Sequence, residues 1–175
     1  MQAPLFVLTT ACFVSLVAAC SVDDPTVSPK DFVSAHAQDA HSVVVSVQEV
    51  EAGIGIMGND PSSSDASAMV SFDGILSNAQ SSLENVSNTL LSAAKPKGVD
   101  SSETEMWSAT DELSTAVKSL RAYVDDQKPS DMTDFHHHWD QGRAWWNQAV
   151  TPIWQAAGAS APTIENAPAA PPVNA

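Results

Sequence analysis

Three consecutive histidines, His136-His137-His138, have the plainest capacity for chemistry in this chain. Helical residues step by about 100°, so three in a row cannot all face one ion. Metal pairs on a helix sit at i,i+4, a spacing that His136 and Asp140 do have. No H-E-x-x-H and no Glu-x-x-His sequence accompanies them, which leaves zinc-protease and di-iron chemistry without ligands. His36 and His41 belong to the start of the first helical block, the triplet to the start of the last. In an antiparallel bundle those ends lie ~35–40 Å apart, so the five histidines cannot form one site. Solvated surface histidine is the plainer reading. No metal or other cofactor is expected, and His136, His138, Asp140 and Glu51 are the weak candidates for one.

Glu51 is singular because it falls where the first block's apolar register calls for a core residue. A buried carboxylate is costly unless paired. It should lie level with His137 or His138, with Asp73 and Arg121 near that level. Two readings stand: a polar layer or solvated last turn that fixes register, or a small ion or ligand site built from Glu51 and His138.

Trp139, Trp145, Trp146 and Trp154 crowd the last block. With Trp146 at the centre of the buried stripe, Trp139 lies ~20° away, Trp154 ~80° and Trp145 ~100° in the opposite sense. The apolar face therefore spans about half the helix, wider than a bundle seam needs. Either the tail or tether folds back over the excess, or Trp145 and Trp154, with Trp139 and Arg143 beside them, form a partner-binding patch. Hydrolysis has no support: there is no G-x-S-x-G and no Gly-rich phosphate loop.

The elements that hold these residues are legible as four heptad-like stripes. The first runs Val33, Ala37, Ala40, Val44, Val47, Glu51. The second runs Met69, Phe72, Leu76, Ala79, Leu83, Val86, Leu90, Ala93. The third runs Met106, Thr110, Leu113, Val117, Leu120, Val124. The fourth runs Phe135, Trp139, Gly142, Trp146, Ala149, Ile153, Ala156. Ser28 before Pro29, Ser102 with Glu105, and Ser130 or Asp131 after Pro129 offer N-caps. Pro152 should kink the last helix or end it near Thr151. The expectation is an all-α fold, an antiparallel up-down-up-down four-helix bundle over 31–157, with helices at about 31–57, 66–94, 102–126 and 131–157. Connections of about five to ten residues join them.

Ahead of the bundle, residues 4–19 are uncharged and apolar, too short to span a bilayer and suited to a signal peptide. They end in Leu16-Val17-Ala18-Ala19-Cys20, then Ser21 and a polar, Pro-containing segment. This resembles the lipobox of bacterial lipoproteins, although Met1-Gln2-Ala3 lacks the usual positive charge. The resemblance covers the first 21 residues. It implies cleavage after Ala19, acylation of Cys20, and a palmitate-type anchor holding the chain to the outer face of the cell membrane. With Cys12 lost in the signal peptide, no thiol chemistry then remains. Residues 20–30 read as a flexible tether reaching ~33 Å, and 158–175, with four prolines, as a disordered tail.

The chain has 175 residues, with 7 Lys and Arg against 21 Asp and Glu, a formal charge of −14. That balance excludes nucleic acid and electrostatic docking on anionic lipid as expected partners. Apolar residues at 43% suffice for one core. The function read from the sequence is a lipid-anchored, extracytoplasmic, non-catalytic module that binds another envelope protein or component. The alternatives are a metal- or small-ligand-binding lipoprotein, or an envelope-protection lipoprotein of the kind temperate phages encode against superinfection.

Overall fold

A computed structural model describes residues 25–57 and 66–164. Four helices account for most of them: α1 Pro29–Met57, α2 Ala66–Leu91, α3 Asp100–Asp126 and α4 Pro129–Ala156. Two short strands, β1 Thr26–Val27 and β2 Lys95–Pro96, pair in parallel. Among the described residues, no helix is long and apolar enough to cross a membrane. Both cysteines, the proposed signal peptide and residues 165–175 of the tail lie outside the described residues.

Segregation of apolar residues makes α2, α3 and α4 bury most of each stripe read from sequence; Met69 and Val124 are half-buried, Ala156 is exposed, and Ala93 falls past the end of α2, which stops at Leu91 rather than near 94. Phe72, Leu76, Ala79, Leu83, Val86 and Leu90 are buried on α2, and Met106, Leu113, Val117 and Leu120 on α3. Phe135, Trp139, Trp146, Ala149 and Ile153 are buried on α4. Thr110 keeps its place in the α3 stripe because its hydroxyl donates to the Met106 carbonyl at 2.6 Å. The first stripe is different. The buried line on α1 is Phe32, Ala40, Val43, Val47 and Val50, whereas Ala37 is exposed and Val33 and Val44 are half-buried. The face is rotated, which carries Glu51 from the core to its edge.

Side chains register the helices. Arg121 of α3 reaches Asp73 at 3.2 Å and Gln80 at 3.0 Å on α2, and Lys118 reaches Glu84 at 3.0 Å. Between α3 and α4, Glu112 meets His138, and Gly142 lies against Ala109 and Leu113. The start of α2 packs Phe72 onto Gly53 near the end of α1. The α3–α4 contact is the most extensive of these interfaces, and α1–α4 is the slightest.

Several boundaries differ from the sequence expectation. The tether is shorter, because Thr26 and Val27 pair with Lys95 and Pro96 through Lys95 N–H to Pro25 (3.0 Å) and Lys97 N–H to Val27 (2.9 Å). Ser28 then caps α1 as expected, accepting from the Asp31 N–H at 3.1 Å and donating to the Asp31 carboxylate at 2.7 Å. Ser102 caps nothing. It is buried within α3, which begins earlier behind Val99. Neither Ser130 nor Asp131 caps α4, since Pro129 opens that helix behind Lys128. Proline has no N–H to satisfy and its φ is already helical.

The α3–α4 connection is two residues, Gln127 and Lys128, below the expected length. Gln127 closes α3 in the left-handed conformation (φ 58°), its N–H bonding the Tyr123 carbonyl at 2.8 Å. Pro152 does not end α4 at Thr151; the helix continues to Ala156. Pro152 cannot donate to the Gln148 carbonyl, but the buried Ile153 and Trp154 after it hold the last turn on the core. The tail is also partly built in. Beyond α4 the chain returns, and Ile164 is buried at its end.

Candidate functional site

The four tryptophans of α4 have four different environments. Trp146 is fully buried, and its indole N–H donates to the Pro162 carbonyl at 2.9 Å. Next to it, Asn147 clamps the returning tail: its amide donates to the Ile164 carbonyl at 2.8 Å and its oxygen accepts the Ile164 N–H at 2.7 Å. Trp154 is 4% exposed, so it belongs to the core and is unavailable to a partner. Trp139 is equally buried, with its indole beside the Glu51 carboxylate, whose Oε1 is buried without a hydrogen-bond partner. Trp145 alone of the four stays at the surface, 37% exposed. The wide apolar face is thus mostly covered, one flank by the bundle and part of another by the returning tail, and the expected patch shrinks to one side chain.

Arg143 is likewise withdrawn from the surface. Its guanidinium lies 3.5 Å from Glu51 and its side chain is 12% exposed. The rotation of α1 brings Glu51 to the α1–α4 seam, where it meets Trp139 and Arg143 rather than His138. Burial pushes the Glu51 carboxyl above its ordinary range; the Arg143 charge and the neighbouring Trp139 indole oppose that shift without cancelling it.

His138 turns instead to α3, where its Nδ1 stands 2.5 Å from Glu112. The His136 ring lies tilted against the neighbouring Phe135 ring, centroids 5.2 Å apart, and Asp140 is exposed. His36 pairs with Asp39 at 3.0 Å on its own helix, and His41 is exposed. Among the described residues no three His, Cys, Asp or Glu side chains converge on a point. The proposed Glu51–His138 ion site is therefore not assembled: each of the two residues is engaged by a different helix.

What the helices do assemble is a groove between the start of α3 and the second half of α4. Ser101, Thr104, Glu105 and Ser108 line one wall, at i, i+3, i+4 and i+7 on one face of α3; Trp145 and Gln148 line the other. Its volume is about 510 Å³. A second hollow of about 410 Å³ adjoins it at Thr104, between Trp107 and the Pro25–Lys95 pairing of the two short strands. Neither hollow was read from the sequence beyond Trp145. Ser101, Thr104 and Ser108 look like ordinary solvated helix residues until α4 is laid beside them. The signal available in sequence was the i,i+3,i+4,i+7 run of hydrogen-bonding residues opposite a surplus tryptophan.

No protein family, curated protein or solved structure matches this chain.

Proposed function

We propose that this chain is a membrane-anchored extracytoplasmic lipoprotein that acts as a non-catalytic binding module for another component of the cell envelope, with the α3–α4 groove at Trp145 as its contact site. The observation that carries the contact site is the contrast within α4: Trp139, Trp146 and Trp154 are buried, whereas Trp145 stays exposed on the wall of a groove. Exposed aromatic side chains in concave sites are the anchors on which recognition usually rests. The anchor rests on Leu16-Val17-Ala18-Ala19-Cys20 and on the uncharged run before it. Two or three acyl chains hold a protein stably, whereas one binds marginally.

In this reading the helices follow up-down-up-down order. Two sets of pairs support it. Numbers rise from Asp73 to Glu84 on α2 while their partners fall from Arg121 to Lys118 on α3. They rise from His138 to Trp145 and Gln148 on α4 while the facing residues on α3 fall from Glu112 to Ser108, Glu105, Thr104 and Ser101.

The experiment is cross-linking in the native host followed by mass spectrometry, with tagged full-length chain, a Trp145→Ala variant and a Cys20→Ser variant. The reading expects an envelope component enriched by the wild type and lost with Trp145→Ala. It also expects Cys20→Ser to leave the membrane fraction. Equal capture by wild type and Trp145→Ala removes the groove from the proposal.

A further inference from the structure

We propose that the groove beside Trp145 is a glycan-binding site whose ligand is an uncharged oligosaccharide. The inference rests on the contact site proposed above and names the class of molecule it takes. A pyranose ring has an apolar C–H face and a rim of hydroxyls. The electron-rich face of an indole suits the first. Groups that both donate and accept hydrogen bonds suit the second. Around Trp145 stand three hydroxyls (Ser101, Thr104, Ser108), one amide (Gln148) and one carboxylate (Glu105). The hydroxyls and the amide each donate and accept, whereas an ionised carboxylate only accepts. Among the described residues, no side-chain hydrogen bond occupies Glu105, Ser108 or Gln148. Their capacity is available to a ligand.

Charge selects further. No Lys or Arg lines this groove, and the chain carries 21 acids against 7 bases. Phosphate, polyanionic polymer and acidic sugar would meet repulsion at Glu105 with no cation in this groove, and the one lysine of the adjoining hollow, Lys95, stands there with the acid Glu103. Size agrees: about 510 Å³ falls within the roughly 300–1,000 Å³ of small-ligand sites. The adjoining hollow at Thr104 extends the path for a longer chain.

A protein partner fits less well. A stable protein interface buries about 800 Å² per partner, and its core is rich in aromatic residues and poor in charge. Here one aromatic is bordered by polar side chains. The returning tail does not compete for the position in its described part. It docks on Asn147, which lies about 200° around α4 from Trp145.

The test uses the full acylated chain in detergent micelles. It is titrated calorimetrically with an array of uncharged oligosaccharides (chitotetraose, maltotetraose and laminaritetraose among them), with anionic oligogalacturonate, and with the host's own isolated envelope polysaccharide. The expected result is saturable binding of an uncharged glycan and none of oligogalacturonate. Trp145→Ala should weaken that binding about tenfold or more, Trp145→Phe should keep most of it, and Gln148→Ala and Glu105→Gln should each weaken it several-fold. Thermal unfolding of Trp145→Ala should match wild type, since the side chain is at the surface. Binding of none of these glycans, or equal binding by wild type and Trp145→Ala, overturns the proposal. Trp145-dependent capture of a protein together with silent glycans overturns the glycan and leaves the binding module standing. Loss of Trp145 dependence in both experiments removes both.

Discussion

At the scale of single residues, the chain is most sensitive where backbone meets backbone. A Cβ added at Gly142 would stand 2.8 Å from Leu113 Cγ, 3.0 Å from the Leu113 nitrogen and 3.1 Å from the Ala109 carbonyl. Two of those atoms are α3 backbone and cannot move aside as a rotamer does. Gly142→Ala should therefore cost about 1–3 kcal/mol, outweighing the roughly 1 kcal/mol of helix propensity it gains. Gly74, where an added Cβ meets open space, is the control, and Gly74→Ala should stabilise by about 0.5–1 kcal/mol. Urea unfolding of the two variants decides; equal effects would contradict the close α3–α4 contact. Glu51 makes a prediction of a different kind. Its pKa is raised chiefly by burial, so the folded chain holds that proton to higher pH than the unfolded chain does. The stability linked to it is complete at low pH and is lost as pH rises through the raised value. Glu51→Gln keeps an acceptor for the Trp139 indole and removes the charge. The difference in Tm, variant minus wild type, should grow in the variant's favour from about pH 4 to about pH 8. Parallel curves would mean that the Arg143 charge fully offsets burial, and a difference that turns against the variant as pH rises would mean that Arg143 prevails. In the sequence Glu51 stood out as an anomaly and its cost was legible. Its partners were not, because they depend on how far α1 is rotated.

At the scale of elements, what was legible tracks how cleanly each segment separates apolar from polar positions. The stripes of α2, α3 and α4 admit one face each, and that face is buried except toward the helix ends, at Met69, Ala93, Val124 and Ala156. On α1, Val43-Val44-Val45 is apolar in three successive directions, so period alone cannot choose between neighbouring faces. Packing of Phe32, Val43 and Val50 chooses. Caps were legible where the turn is local, as at Ser28. They were not where a distant partner sets the start of the helix, as at Val99 behind the β1–β2 pairing. The returning tail shows the same division. Its composition of Ala and Pro predicts no packed structure, and only the surplus apolar face of α4 pointed to its folding back; Asn147 and Trp146 hold it by three hydrogen bonds and Ile164 enters the core. Asn147→Ala removes both bonds to Ile164. It should cost about 1–3 kcal/mol and release the Ile164 amide to fast hydrogen exchange, read by mass spectrometry. If that amide exchanges at the intrinsic rate in the wild type as well, the tail is not clamped. Truncation ahead of residue 160 should lower stability by a similar amount or more, because Ile164 burial is lost too.

At the scale of the whole molecule, the short strands fix what the proposed anchor can do. Pro25 is tied to Lys95, and five residue steps, at most ~17 Å even fully extended, separate it from Cys20 in the sequence. That is half the reach of the tether read from composition. In the up-down-up-down reading, the start of α1, the end of α2, the start of α3 and the end of α4 share the pole beside that strand pair, and the groove at Ser101–Ser108 and Trp145 lies within about 10 Å of the same pole along α3. An acylated Cys20 would therefore hold the groove near the bilayer surface rather than out in the envelope. A ligand fixed at that height would be presented at high effective concentration, and one further out would be beyond reach. Inserting about 15 Gly and Ser residues after Asp23 adds a flexible span of roughly 20 Å. For a membrane-proximal partner, the insertion should cut cross-linked capture in cells several-fold. Calorimetric affinity for a soluble glycan should stay unchanged, because the groove itself is untouched. Capture that rises with the longer spacer would place the partner away from the membrane and make the short tether a restraint on binding. Capture that does not change would mean that the distance from Cys20 to Pro25 is not what positions the groove.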